Sequence, residues 1–423
     1  MPWVTTPAPP VPAPRPPRRP QRAGLVVGLL VSALVVLAAV AVAATWPASI
    51  RAVAERAGLV DVHVEYRTAR VTEVEATTCS SSAENTLPNG DLPPSVPCTR
   101  VTARVGDGSS AGRVVVVSAP QPVRASDITP GMRVVLERYP AQDGAPETWA
   151  WSDFERGVPL GTLALAFVLV AAMVGGWRGL RAVVGLAFAG VVLWVYLIPA
   201  LVTGRNGLVV GLASAVLIMT VVVYFAHGVS VRSSVALLGT FAGLALVAAL
   251  GLLGVATAHL SGVVSEEDYQ LSQIMGDGNV IALRGVFVCG VLLVGLGVLN
   301  DVTITQSAAV WELRAALPGA SWRELFTGAM RIGRDHIAST IYTIAFAYAG
   351  ASLPVLMLLQ LYRLPVGRTL TGGAFAEEIV RTLAGSIGLV LAVPATTLLA
   401  ALLVPRAVGA PERARHRVAA HTH

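Results

Sequence analysis

The sequence predicts an α-helical polytopic membrane bundle of about eight spans, with a small all-β domain, an OB-like or SH3-like barrel, inserted after the first span. Three observations predict it. Of 423 residues, 54% are hydrophobic and 13% charged, and the mean hydropathy is +0.67; soluble domains carry about 25% charge. Apolar runs that reach the ~20 residues needed for one helical crossing recur along the chain. One interval, residues 45–157, breaks that pattern and alternates polar with apolar residues. These numbers exclude an ordinary soluble enzyme and a chain disordered throughout.

Taken in order, residues 1–23 are rich in Pro, hold Arg15, Arg18, Arg19 and Arg22, and cannot pack a core. They are expected to be a disordered cytoplasmic tail. Gly24–Ala44 is an unbroken apolar run. A secretory signal has the same basic-then-apolar order, and Ala41-Val42-Ala43 resembles a cleavage site, but a signal's apolar region spans only about 7–15 residues. An uncleaved transmembrane anchor over 24–44 is the expectation. Within 45–157, Asp61–Ala76 alternates with period two, as a half-buried strand does. Val101–Val105, Arg113–Ser118, Met132–Tyr139 and Glu147–Ser152 add four short strands, with turn signals at Pro130-Gly131 and Asp143-Gly144. Five short strands and no clear helix suggest a small barrel. Cys79 and Cys98 bracket a loop rich in Ser, Asn and Pro. A disulfide there closes a loop of about 20 residues, contributes about 3 kcal/mol by chain entropy, and persists only outside the reducing cytosol. Cys289 falls inside a later span as a packing residue.

From Val158 the chain is mostly membrane. Spans are expected at about 158–176, 182–202, 207–226, 235–259, 280–300, 337–360 and 381–404, a seven-span domain (158–404) followed by a disordered tail (405–423). All 31 basic residues are arginine, and their positions orient the spans. With the N-terminus cytoplasmic, the inside segments hold fifteen: the four of the N-terminal tail, Arg178, Arg181, Arg232, Arg314, Arg323, Arg331, Arg334, Arg406, Arg413, Arg415 and Arg417. The short outside loops and their span edges hold five, Arg205, Arg284, Arg363, Arg368 and Arg381. The remaining eleven lie in 45–157, a long translocated segment of the kind that escapes the positive-inside rule. The expectation is a bacterial plasma-membrane protein with both termini cytoplasmic and the cysteine pair on the oxidising side. Because the arginines follow one side of a membrane and not one domain, no nucleic-acid partner is expected.

Three stretches carry a resemblance. LGVLNDVTITQSAAVWELRAAL (296–317) runs into GAMRIGRDHIASTIYTIAFAYAGASLPVLMLL (328–359), and RTLAGSIGLVLAVPATTLLAALL (381–403) follows. Together with residues 197–234, and more loosely the β-rich segment, they resemble the YibE/F family of bacterial membrane proteins. The resemblance implies an N-terminal anchor, an extracytoplasmic β domain and a helical membrane bundle, and it supplies no substrate.

Enzyme signatures are missing: there is no HExxH, no P-loop, no GxGxxG after a strand and no GxGD or GxSG. No catalytic residue, cofactor or metal ligand is expected. Ala384-Gly385-Ser386-Ile387-Gly388 comes near a nucleophile elbow but sits in an apolar span, where small residues serve close helix packing. His416, His421 and His423 read as a solvated tail. The acidic run Glu266, Glu267, Asp268 and Asp277 reads as a solvated outside loop.

Segment 300–336 is different. Asn300 and Asp301 are expected to end one span, followed by Thr303, Thr305 and Gln306. Ser321 and Glu324 form a capping box that starts a helix at about Trp322. On that helix Arg331, Arg334 and Asp335 share one face. Asp301 is expected to pair with Arg331 or Arg334, since an unpaired charge below the headgroups is costly. The charges then form either a static brace between two helices, or ordinary inside-positive charge facing headgroups, or a cytoplasmic gate. Gly350 and Pro354 are expected to interrupt the seventh span, and Gly385, Gly388 and Pro394 the eighth; such breaks line pathways in transporters. The functional expectation is a transporter or channel for a small solute or ion. The alternative is a scaffold or sensor subunit whose β domain binds an envelope partner, and a second copy of the chain is the other partner considered.

Overall fold

The computed structural model describes residues 19–58, 64–81, 85–87, 90–141, 146–275, 280–362 and 365–405. Residues 1–18 and 406–423 of the expected tails, the start of the first expected strand (Asp61), the Asp143-Gly144 turn and Asp277 lie outside the described residues. Residues 19–23, expected to be disordered, instead form the first turn of the helix Arg19–Ala44. The chain forms two compact units: Ala54–Gly176, and residues 1–53 together with 177–423.

The first unit carries one antiparallel sheet of β1 (Glu65–Ser80), β2 (Ser95–Val105), β3 (Val114–Ala119), β4 (Arg133–Tyr139) and β5 (Thr148–Phe154), ordered β3-β2-β1-β4-β5. Alternation sets its faces. On β3, Val115, Val117 and Ala119 are buried while Val114, Val116 and Ser118 point out. Val71, Val101, Val105, Val134 and Leu136 complete the inner face, each worth about 1.5–3 kcal/mol of apolar burial. The expected closed barrel does not form. β1 pairs with β4 only over Glu65–Arg70 but with β2 over Ala69–Ser80, so the long β1–β2 ribbon runs past β4. That offset leaves β3 and β5 as two edges with no ladder between them, whereas closure requires the first and last strands to pair. β2 also starts six residues earlier than the alternation indicated. Cys98 stands opposite Thr77 and Cys79 opposite Val96, a diagonal that brings their Cα atoms to 5.8 Å, and the expected disulfide joins them.

A chain of ion pairs crosses the open sheet: Arg113–Glu147 at 2.7 Å, Glu147–Arg138 at 3.0 Å, Arg138–Glu65 at 2.8 Å and Glu65–Arg67 at 2.8 Å. The hydrogen bond from Arg138 holds both Glu65 and Glu147 below the usual carboxylate range, with Arg67 and Arg113 adding to the effect.

The second unit is helical. Its elements are α1 (Arg19–Ala44), most of α2 (Ile50–Arg56), the later part of α3 (Gly157–Val192), α4 (Ile198–Val202), α5 (Gly207–His227), α6 (Val231–Thr257), α7 (Glu266–Met275), α8 (Val280–Ala316), α9 (Trp322–Ala351), α10 (Leu353–Tyr362), α11 (Val366–Leu370) and α12 (Gly373–Leu403). Neither α2 nor α7 was expected. Asp268 at the start of α7 accepts from the Val264 and Ser265 N–H groups, so the acidic run begins a helix where a loop was read.

Among the described residues, six helical stretches are long and apolar enough to cross a bilayer: 24–44, 157–202, 207–227, 231–257, 282–316 and 375–403. A seventh is the pair α9 and α10, bent by 63°. The 46-residue stretch 157–202 is about 70 Å long, twice the ~30 Å hydrocarbon core. It breaks at Gly176, whose φ of 56° and ψ of −142° suit only glycine. Counting its halves separately gives the eight expected spans. Buried Leu237, Leu244, Val247, Leu292 and Leu299 form the centre of the bundle. Gly207 and Gly285 let α5 and α8 meet backbone to backbone, where a Cβ on Gly207 would overlap the Gly285 carbonyl.

Candidate functional site

The sequence NDVTITQS (300–307) contains no glycine or proline, so polarity alone suggested a helix end there. α8 instead continues from Val280 to Ala316. Helical periodicity then sorts the polar side chains. Thr303, Gln306 and Ser307 are fully buried, whereas Asp301 is exposed. Gln306 therefore lies in the bundle interior.

Four helices meet around it. Thr240 on α6 and Thr303 on α8 share a hydrogen bond of 2.6 Å. Thr397 on α12 donates to Gln306 Oε1 at 3.0 Å. Ser307 donates to the Arg232 carbonyl at 2.9 Å. Gly333 on α9 faces Gln306 so closely that a Cβ there would stand 2.9 Å from Nε2 and 2.8 Å from Val393. Gly239 on α6 faces Thr396 in the same way. The seam is built from hydroxyls and one amide, and three of its polar atoms are buried without a hydrogen-bond partner: Gln306 Nε2, Thr396 Oγ1 and Asn300 Oδ1. Each such atom costs about 1–3 kcal/mol, a penalty that well-packed apolar residues would avoid.

The charged residues expected at the gate are exposed and do not pair as expected. Arg331, Arg334 and Asp335 lie on the exposed face of α9, while Gly333 is on the buried one. Asp301 does not pair with either arginine; the residue within ion-pair distance is His336, at 3.4 Å and without hydrogen-bond geometry. About half a turn of α9 explains this: His336 follows Arg334 by two residues and lies beside Asp301 of α8, while both arginines are exposed. The capping box is present, with Ser321 and Glu324 exchanging bonds of 2.6 and 3.3 Å.

The helix breaks divide. α9 ends at Ala351 and α10 starts at Leu353, so Gly350 and Pro354 do flank a bend, but both are exposed. α12 is continuous through Gly385, Gly388 and Pro394. Gly388 packs against Val247 in place of breaking the helix.

Two features escaped the sequence reading. Glu377 on α12 is buried and accepts from the Gly262 N–H at 2.9 Å, beside an Arg381–Glu378 pair at 3.1 Å. Charge inside an apolar span (AEEIVR) was the available signal. A cavity of about 430 Å³ lies between Arg205, Asn206, Gly207, Leu252 and Arg284. Among the described residues no group of His, Cys, Asp or Glu could hold a metal ion.

A bundle of long apolar helices around a buried polar seam, with a sheet-bearing unit in the same chain, defines a multi-pass membrane protein. Residues 163–406, more than half of the chain, match the model of the YibE/F-like protein family, and the chain belongs to that family. The match begins after the sheet, so the looser resemblance of the β-rich segment is not part of it. No curated protein and no solved structure matches the chain.

Proposed function

We propose that the protein moves a small solute or ion across the membrane along a path through the seam between α6, α8, α9 and α12. The observation that carries this reading is Gln306, fully buried yet using its amide oxygen alone and leaving Nε2 without a partner. A permeating species that hydrogen-bonds gives that donor, and the free Thr396 hydroxyl, a partner in transit. The seam's amide and hydroxyls suit a solute recognised by hydrogen bonds. The fifteen-to-five arginine asymmetry supports a plasma-membrane orientation with both termini cytoplasmic.

Reconstitution in liposomes, with flux measured over a panel of small polar solutes and monovalent ions, tests the proposal. Gln306→Leu, close in volume and apolar, should lower flux at least about tenfold while the protein stays folded. No flux from the wild type, or equal flux from the folded variant, overturns it. The runner-up, a scaffold or sensor subunit, draws on the separate sheet-bearing unit; a stoichiometric protein co-purifying with a chain that transports nothing would favour it.

A further inference from the structure

The outer face of the sheet carries a row of like charge. Ladder register sets Arg70 directly opposite Arg104 on β2 and directly opposite Arg133 on β4. Three guanidinium side chains thus stand side by side across three strands, and all three residues are exposed. Cross-strand neighbours have Cβ atoms about 4.5–5.5 Å apart, and like charges so placed destabilise a sheet.

Among the described residues, none of the three has a carboxylate within ion-pair distance. Ion pairs on the sheet go instead to Arg67, Arg100, Arg113, Arg138 and Arg156. Of the neighbouring carboxylates, Asp153 pairs with Arg156, Glu155 accepts from the Gly157 N–H and Asp107 from the Thr68 N–H, while the exposed Glu73, opposite Thr102, forms no ion pair with the row. Arg70 donates to the Gly131 carbonyl at 3.5 Å, the limit of a hydrogen bond. The position of the row supplies the second argument. The Arg133 carbonyl accepts from the Glu155 N–H at 3.3 Å, and α3 begins two residues later at Gly157. In that same unit α3 exposes Leu160, Leu163, Phe167 and Met173. The arginine row is therefore one ladder step from the point where the chain enters an apolar helix.

We propose that Arg70, Arg104 and Arg133 form a binding face for the phosphate groups of anionic phospholipids at the membrane surface. Arginine's planar fork matches phosphate oxygens in two-point contact, and an anionic surface relieves the repulsion within the row. The proposal rests on α3 being a span and is independent of transport and of which leaflet the sheet faces.

The test uses the full chain in nanodiscs of equal parts phosphatidylglycerol and phosphatidylcholine, with retained lipids counted by native mass spectrometry. Each basic residue near an anionic surface contributes about fivefold, so R70Q/R104Q/R133Q should lose at least about tenfold of the preference for phosphatidylglycerol. Its unfolding temperature should be unchanged or raised, because repulsion is relieved. R100Q, whose arginine shares the face but is held by Glu75, should keep the preference. Should the triple variant fail to fold, R70Q alone, at the centre of the row, should show a loss of about fivefold. Unchanged retention in the folded variant, or no preference in the wild type, overturns the proposal. An acidic protein lost from the triple variant while lipid retention stays constant also overturns it.

Discussion

Gln306 and Glu147 both depend on a neighbouring side chain, yet they answer to different solvents. Gln306 is buried among α6, α8, α9 and α12, is uncharged, and has one side-chain partner, Thr397. Glu147 lies on the sheet, is charged, and joins Arg113 and Arg138 in a chain that runs on to Glu65 and Arg67. Around Gln306 the bundle thus keeps neutral polar groups inside and leaves Asp301, Arg331 and Arg334 exposed, while its buried charges, Glu377 and Arg314, sit elsewhere and are held by backbone groups. The sheet does its polar work with full charges at its surface, where water screens them. Desolvation accounts for the difference: an ion inside a low-dielectric bundle costs several kcal/mol more than an amide or hydroxyl. The seam can carry unpaired atoms because they are neutral.

The contrast can be broken most sharply at Gly333. Gly333→Leu places a branched side chain where a Cβ alone would crowd Val393 and Gln306 at 2.8 and 2.9 Å. Overpacking of this kind costs about 1–3 kcal/mol or more. A lowered unfolding temperature in detergent, together with lost flux, is the expected outcome; Gly333→Ala should fall between the two.

The sheet's ionic chain should respond to acid where the seam does not. Arg138 depresses the folded pKa of both Glu65 and Glu147. A depressed carboxylate contributes stability that is fully present above its unfolded pKa, about 4.3, and is lost as pH falls through the lower folded value. Unfolding temperatures measured from about pH 6 down to about pH 3 should therefore drop, and Arg138→Met should flatten the drop. An identical acid profile in that variant would remove the network as its cause.

The smallest effect is expected at Asp301. Its side chain is 70% exposed and its His336 contact lacks hydrogen-bond geometry, so Asp301→Asn should shift stability by less than about 0.5 kcal/mol. A loss above about 2 kcal/mol would mean that Asp301 belongs with the buried groups, and the contrast between the two regions would fail at that point.

Apolar runs, the Ser321–Glu324 capping box, the strand alternation and the Cys79–Cys98 pairing were all readable in the chain, because each depends on residues near in sequence or on solvent preference averaged over a window. The family was readable too, from long matched stretches. The candidate site was legible by residue but not by place: Asn300 and Gln306 stood out as polar, yet polarity does not distinguish a helix end from a buried seam. Arg331 and Arg334 were misplaced because a two-residue step along α9 decides which side chain faces α8. Barrel closure and the row Arg70–Arg104–Arg133 follow from ladder register, which in the row pairs residues 34 and 63 positions apart. The sequence by itself determined the long apolar helices and the alternating strands, though not the short helices α2 and α7 or the full length of α8, since burial free energy follows composition over a window. Tertiary structure decided which polar atoms go unpaired and which charges stand together, because those depend on packing between distant segments.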